Sequence, residues 1–103
     1  MTAKDPIIVY SRPTCPLDPS VKNILKSVRA NYEYVDVRED EDARQRIREI
    51  NNGNESVPTL VFPNGATLTE PLPHQLRKQL REEGYEISNL KIWAFYILTN
   101  PIY

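Results

Sequence analysis

One side chain in this sequence has the chemistry of a strong nucleophile, the thiol of Cys15, and the chain contains no second cysteine. Cys15 lies in the segment SRPTCPLDPS, residues 11–20, with Asp18 three positions after it. A Cys-X-X-Cys redox motif would carry its second cysteine at that position. Without this partner the chain cannot close an intramolecular disulfide, so any disulfide exchange must proceed through a single thiol.

Two groups near Cys15 in the sequence are expected to stabilise a thiolate. Apolar side chains at helical spacing predict an amphipathic helix over residues 16–29, which puts Cys15 at or beside the helix N-cap, near the positive end of the helix dipole. Arg12, three residues earlier, supplies a cation on the same loop. We therefore interpret Cys15 as a reactive thiol. The alternative is a small core residue without chemistry.

Two roles are open for Asp18. If Cys15 is the N-cap, Asp18 is the third residue of the helix, where its carboxylate could accept a hydrogen bond from the main-chain amide of residue 15, as in a capping box. The alternative is an acid–base group that protonates a leaving thiolate. We favour the capping role. In either role Asp18 modulates Cys15, because a nearby carboxylate disfavours the thiolate.

The hydrophobic pattern predicts the elements that position this loop. Their order is strand, helix, strand, helix, hairpin, helix, and the Asn64-Gly65 pair is a strong signal for the hairpin turn. This order predicts an α/β fold with a central sheet of four mixed strands and three or more flanking helices. Cys15 then follows a central strand, at the edge of the sheet where such folds bind ligands. The predicted boundaries are residues 6–11, 16–29, 32–37, 39–50, 59–69 and 72–84.

Length and charge limit the classes of protein to which the chain can belong. With 103 residues it is one domain by size, and 13 basic against 14 acidic residues provide no surplus of positive charge for a nucleic acid. The first ten residues lack an apolar run long enough for a secretory signal. We expect a cytoplasmic protein in a reducing compartment.

The last part of the chain is unusually apolar. We divide the sequence into a domain at residues 1–84 and a C-terminal extension at residues 85–103, which ends in LKIWAFYILTNPIY. The apolar part of this extension is too short to span a bilayer. We expect it to pack on the domain, and a homodimer or partner contact through residues 90–103 is the alternative.

Two separated motifs resemble those of the glutaredoxin family. VYSRPTCPLD resembles the strand, loop and helix that carry the family's catalytic cysteine, and SVPTLVFPNGATL resembles the family's Val-Pro loop and hairpin. EINNGNESVP is similar to the approach to that loop in bacterial glutaredoxin-like proteins and mycoredoxins. The resemblance covers about residues 7–80 and implies a thioredoxin-like fold of the glutaredoxin type.

The resemblance also implies roles for individual residues. Cys15 matches the nucleophilic cysteine, and Arg12 matches a basic residue that binds a carboxylate of glutathione. Val57 matches the residue whose backbone pairs with the cysteinyl part of glutathione, and Pro58 matches the cis-proline that faces the sulfur. Asp18 replaces the family's second cysteine, so we expect Cys15 to ionise less readily than the thiol of a typical glutaredoxin.

Two further features depart from the family pattern. The paired glycines that often follow the hairpin are replaced by LTEP, residues 68–71, which affects the expected contact with the γ-glutamyl group of glutathione. Glu55 stands where an arginine is common, so one supportive charge is reversed.

These observations predict a monothiol thiol-disulfide oxidoreductase that removes glutathione from proteins or reduces mixed disulfides of another small thiol. Glutathione or another low-molecular-weight thiol would be the co-substrate, its partners would be small thiols and disulfide or glutathionylated proteins, and no metal is expected. One alternative is a catalytically impaired module that binds thiols or peptides. A further alternative is an iron–sulfur carrier, although Pro16 and Asp18 differ from the Cys-Gly-Phe-Ser form of such relatives.

Overall fold

The computed structural model of the chain describes residues 4–87. Within this range it contains four strands, three α-helices and one 3₁₀ turn, which confirms the predicted order and the mixed α/β class. The elements are β1 (Ile7–Ser11), α1 (Asp18–Ser27), β2 (Tyr32–Asp36), a 3₁₀ turn (Val37–Glu39), α2 (Glu41–Ile50), β3 (Thr59–Val61), β4 (Thr67–Thr69) and α3 (Pro73–Glu82).

The strand order places the two sequence motifs side by side. The sheet runs β2-β1-β3-β4, with β1 parallel to β2 and antiparallel to β3. Because β1 and β3 run in opposite directions, the carboxyl end of β1 meets the amino end of β3. Tyr10 near the end of β1 is therefore opposite Thr59 at the start of β3. The loop that holds Cys15 and the loop that holds Pro58 leave the sheet at the same edge.

Alternation along the strands divides the interior into two apolar clusters. Side chains on one face of the sheet pack against α1 and α3, and those on the other face pack against α2. We call these the α1/α3 cluster and the α2 cluster. The α1/α3 cluster comprises Ile7, Val9, Val21, Ile24, Leu25, Leu60, Phe62, Leu76 and Leu80. The α2 cluster comprises Cys15, Val37, Ala43, Ile47 and Val57, and Tyr10, Leu17 and Val35 pack against it.

Helix α1 begins two residues later than predicted, because two turns precede it. The amide of Cys15 donates to the carbonyl of Arg12 at 3.0 Å, and the amide of Asp18 donates to the carbonyl of Cys15 at 3.1 Å. The first helical bond joins the amide of Val21 to the carbonyl of Leu17 at 3.1 Å, so Leu17 is the N-cap. Cys15, which was predicted to lie at or beside the N-cap, precedes the N-cap by two residues.

The other helix boundaries follow local signals. Asp40 caps α2, because its Oδ1 accepts from the amide of Ala43 at 2.9 Å. Helix α3 ends just before Gly84, which has a φ of 91°. The third helix was predicted to begin at residue 72, but it begins at Pro73, and Leu72 is its N-cap and is 52% exposed.

Most of the predicted C-terminal extension lies outside the described range, as do the contacts predicted for residues 90–103. Of its first residues, Tyr85 and Ile87 pack against the α1/α3 cluster. Among residues 4–87 no helix combines the length and apolar character needed to cross a membrane.

Candidate active site

Cys15 is held at the sheet edge between the loop after β1 and helix α2. Its side chain is 7% exposed and packs with Ala43 and Ile47 of α2. The Sγ atom donates a hydrogen bond to the carbonyl oxygen of Val57 across 3.6 Å. Since a carbonyl oxygen only accepts, this bond belongs to the protonated thiol, and ionisation of Cys15 releases it.

The partner loop has the conformation that the resemblance implied. The Val57–Pro58 peptide bond is cis, and Pro58 is fully buried. The carbonyl of Pro58 accepts from the amide of Glu70 at 2.8 Å, and the Thr59 hydroxyl donates to the carbonyl of Ser56 at 2.8 Å. Hydrogen bonds on both sides of the cis peptide therefore hold the Val57 carbonyl next to the thiol.

A polar cluster behind this loop was not anticipated from the sequence. The Asn51 side-chain amide donates to the carbonyl of Ile47 and to the Thr59 hydroxyl, each at 3.1 Å. The Thr69 hydroxyl donates to Asn51 Oδ1 at 2.6 Å. Asn51 thus joins the end of α2 to β3 and β4. Asn51 directly follows the predicted helix at residues 39–50, and nothing in the pattern of residues 51–53 indicated its tertiary partners.

Arg12 supplies an exposed cation on the loop that holds Cys15. Its main chain is fixed, because its carbonyl accepts from the Cys15 amide. Across residues 4–87 its guanidinium forms no ion pair. This side chain is therefore available to an anionic ligand that approaches Cys15.

Asp18 occupies a different position from the one predicted. Its carboxylate does not accept from the Cys15 amide, which donates to the Arg12 carbonyl instead, so the capping-box role is wrong. The residue is 4% exposed, and its two carboxylate oxygens have separate partners. Tyr34 Oη donates to Oδ1 at 2.7 Å, and Lys22 Nζ lies 3.1 Å from Oδ2. The later start of α1 makes Asp18 its first residue, which leaves the side chain free to turn toward β2.

Lys22 and Tyr34 also contact each other. Lys22 Nζ lies 4.1 Å from the centroid of the Tyr34 ring, so the ammonium group interacts with both the carboxylate and the ring. Burial, reinforced by the acceptor carboxylate of Asp18, raises the pKa of Tyr34 far above its ordinary value. The i, i+4 spacing of Asp18 and Lys22 is a helix ion-pair signal that could have identified one of these contacts.

The Asp18 carboxylate and the Cys15 thiol are directed to opposite faces of the sheet. Tyr34 is opposite Val9 in the β1–β2 register, and both face the α1/α3 cluster. Cys15 instead packs in the α2 cluster, together with Tyr10 from the other face of β1. The two side chains are three residues apart in sequence, but each is buried in a different layer.

Two acidic residues account for the other departures from the family pattern. Glu55 is paired with Arg48 of α2 at 2.9 Å, so its reversed charge is compensated within the protein. Glu70, in the LTEP segment that replaces the glycines, has a φ of 49°. The backbone keeps a left-handed conformation there that glycine adopts at lower cost.

The topology and the site together define a thioredoxin-fold protein with one thiol facing a cis-proline loop. Crystal structures of a thioredoxin-like protein and of a point mutant of it are similar to this chain, with TM-scores of 0.62 and 0.64 at 33% and 34% identity. The matches cover 70% and 72% of this chain and 96% and 97% of the solved chains.

Sequence comparisons identify the family to which the chain belongs. Residues 7–66 match the family model Glutaredoxin. A glutaredoxin-type protein of Mycobacterium tuberculosis is 30% identical over 74 residues, 72% of this chain and 88% of the relative. Mycoredoxin 1 of Corynebacterium glutamicum is 31% identical over 67 residues, 64% of this chain and 81% of the relative. The chain belongs to the glutaredoxin family, which implies thiol-disulfide oxidoreductase chemistry.

Proposed function

We propose that this protein is a monothiol oxidoreductase that removes a small thiol from mixed disulfides, with Cys15 as the nucleophile. The observation that carries the proposal is the contact of Cys15 Sγ with the Val57 carbonyl, 3.6 Å away, at the start of a cis Val57–Pro58 loop. A disulfide that reaches this thiol lies against the Val57–Pro58 loop, whose main-chain polar groups can pair with a peptide-like thiol.

The reaction balances with two small thiols. The Cys15 thiolate attacks the sulfur of the small thiol in a mixed disulfide, a new disulfide forms on Cys15, and the protein substrate leaves as a thiolate that takes up a proton. A second thiolate then attacks the small-thiol sulfur bound to Cys15. Cys15 is released, and the two small thiols leave as an oxidised dimer, so the two electrons that reduce the substrate come from the small-thiol pool.

Glutathione is the proposed small thiol, and mycothiol is the principal competitor. Arg12 supports an anionic ligand, because an exposed guanidinium without an ion pair in the described range can bind a glutathione carboxylate. The activity belongs in the cytoplasm, since turnover of this kind draws on a reducing thiol pool. Proposed substrates are small disulfides and glutathionylated proteins.

A second candidate is a module that binds thiols or peptides without turnover. It is favoured by the low exposure of Cys15, which is 7%, and by the engagement of its Sγ as a hydrogen-bond donor. Disulfide attack requires both an exposed sulfur and loss of that proton. The second candidate retains the Val57–Pro58 loop beside the thiol and assigns it to binding alone.

Reduction kinetics distinguish the two candidates. The purified protein and Cys15→Ser are each given a glutathionylated peptide and reduced glutathione, and release of the free peptide is followed by mass spectrometry. A parallel series uses the mycothiol mixed disulfide. We expect the protein to accelerate release at least tenfold over Cys15→Ser with one of the two thiols. Equal rates for the two proteins with both thiols contradict oxidoreductase activity and support the binding module.

A further inference from the structure

The group formed by the buried Asp18 and the partly exposed Lys22 and Tyr34 has no part in the exchange reaction described above. It occupies the position at which a dithiol enzyme would keep its second cysteine, yet its carboxylate is turned away from Cys15. We propose that Lys22 and Tyr34 are positioning residues that hold Asp18, with its charge compensated, on the α1/α3 side of the sheet and so permit a thiolate at Cys15. This inference rests on the proposed function, because the thiolate is the nucleophile of that reaction.

The need for compensation follows from the burial of Asp18. A carboxylate that is 4% exposed is screened little by water and salt, so its charge would act on a thiol in the adjacent loop. Lys22 cancels most of this field, because its ammonium group lies 3.1 Å from Oδ2. The remaining field at Cys15 is that of a small dipole rather than that of a full negative charge.

Tyr34 fixes the orientation of the Asp18 carboxylate and of the Lys22 ammonium group. Its hydroxyl donates to Oδ1 at 2.7 Å, and its ring lies 4.1 Å from the ammonium group of Lys22, so it fixes both members of the ion pair. The raised pKa of Tyr34 keeps this hydroxyl protonated, and therefore a donor, throughout the range in which a thiol titrates. The Asp18 carboxylate consequently keeps the same two partners before and after Cys15 ionises.

Other charged and titratable groups surround Cys15 and the Asp18 group. The titratable groups near Cys15 are Tyr10 of β1 and Arg12 of the same loop, together with Glu70, whose amide is bonded to the Pro58 carbonyl. Helix α2 presents only the uncharged Ala43 and Ile47 to Cys15. Around Asp18, the end of β2 contributes Asp36, which is already paired with Arg38 at 2.6 Å. Lys22 is the one cation in the described range that forms an ion pair with Asp18.

The test measures the pH dependence of Cys15 alkylation by iodoacetamide in Lys22→Gln, Asp18→Asn and the double variant. We expect Lys22→Gln to raise the midpoint of the profile by about 0.5–1 pH unit. Removal of the ammonium group leaves the Asp18 carboxylate as an uncompensated negative charge that disfavours a nearby thiolate, and one pH unit corresponds to about 1.4 kcal/mol of such an interaction. In the double variant the midpoint returns to the value of Asp18→Asn, because the uncompensated carboxylate is gone.

The matched control is Lys26→Gln, which removes the same charge one turn further along α1, where the side chain is exposed. Lys22→Arg retains the cation and keeps the original midpoint. Lys22→Met retains the aliphatic stem over the Tyr34 ring and replaces the glutamine variant if that variant is less stable. A purely structural role would change the urea midpoint of Lys22→Gln and leave its alkylation profile unchanged.

The inference is overturned if Lys22→Gln and Lys26→Gln have the same alkylation profile, or if the shift of Lys22→Gln persists in the double variant. Alkylation requires no glutathione, so this outcome is separate from that of the proposed function. A shifted profile in a protein that does not release glutathione contradicts the reaction alone, whereas normal turnover without a shift contradicts the positioning role alone.

Discussion

Replacement of Asn51 by alanine is expected to destabilise the protein more than its position at the end of a helix would suggest. The side chain makes three hydrogen bonds, to the Ile47 carbonyl, to the Thr59 hydroxyl and from the Thr69 hydroxyl. At about 1 kcal/mol net for each bond, the variant loses about 2–3 kcal/mol of unfolding free energy. Thr59 keeps its bond to the Ser56 carbonyl, so the loss does not include an unsatisfied donor there.

Urea unfolding followed by far-UV circular dichroism measures this loss. The matched control is Asn54→Ala, which removes the same side chain from an exposed position in the following loop. A loss of about 2 kcal/mol also corresponds to a fall in Tm of roughly 8–16 °C for a domain of this size. Neutral surface substitutions change the unfolding free energy by about 0.5 kcal/mol or less. If the unfolding free energies of Asn51→Ala and Asn54→Ala differ by no more than this, the polar cluster does not stabilise the fold. Our account of how it supports the Val57–Pro58 loop would then be wrong.

Three further predictions concern Tyr34, Glu70 and Arg12. The pKa of Tyr34 is raised in the folded state, so the unfolded chain loses this proton first as the pH rises. The unfolding free energy should therefore fall above about pH 10, by at most about 1.4 kcal/mol per pH unit. Urea titrations of Tyr34→Phe should show a shallower fall with pH, and an equal slope for the two proteins would contradict the raised pKa of Tyr34. Glu70→Gly should be neutral or stabilising by up to about 1 kcal/mol and Glu70→Val destabilising, since φ is 49° at this residue, and a large loss in the glycine variant would contradict this. Arg12→Gln should raise the KM for the glutathionylated substrate about 3–10-fold at low salt. The control Arg77→Gln changes an exposed arginine on α3 and should leave this KM unchanged. Equal KM values for Arg12→Gln and the unmodified protein would exclude a role for Arg12 in binding.

The fold was predictable because its signals are local. The alternation between strand and helix periods gave the element order, and Asn64-Gly65 and Gly84 marked turns at which the backbone has the expected positive φ at glycine. The error at Leu72 has a physical reason. Proline at the next position starts the helix at residue 73, so the leucine that continues the apolar spacing precedes the first turn and remains exposed.

The site was predictable only to the extent that it depends on topology. The order of the elements predicted a mixed sheet with Cys15 after a central strand. It did not specify the antiparallel pairing of β1 with β3, which brings the loops of Cys15 and Pro58 together. The cis form of Pro58 was implied by the family resemblance, because an X-Pro sequence does not by itself specify the isomer. The hydrogen bonds of Asn51 join residues 8 and 18 positions apart, and no periodic pattern encodes such polar contacts.

Asp18 illustrates how a shift of two residues at a helix start changes the chemistry assigned to a side chain. With the helix beginning at residue 16, its carboxylate would cap the helix and lie near the thiol that it was expected to suppress. The turns closed by the carbonyls of Arg12 and Cys15 delay the helix to residue 18. The same carboxylate then enters the opposite layer, where Tyr34 and Lys22 bind it. The position of a second cysteine is therefore occupied by a buried carboxylate that is paired with a partly exposed lysine, and we infer that the effect of Asp18 on Cys15 depends on Lys22 rather than on distance in the sequence.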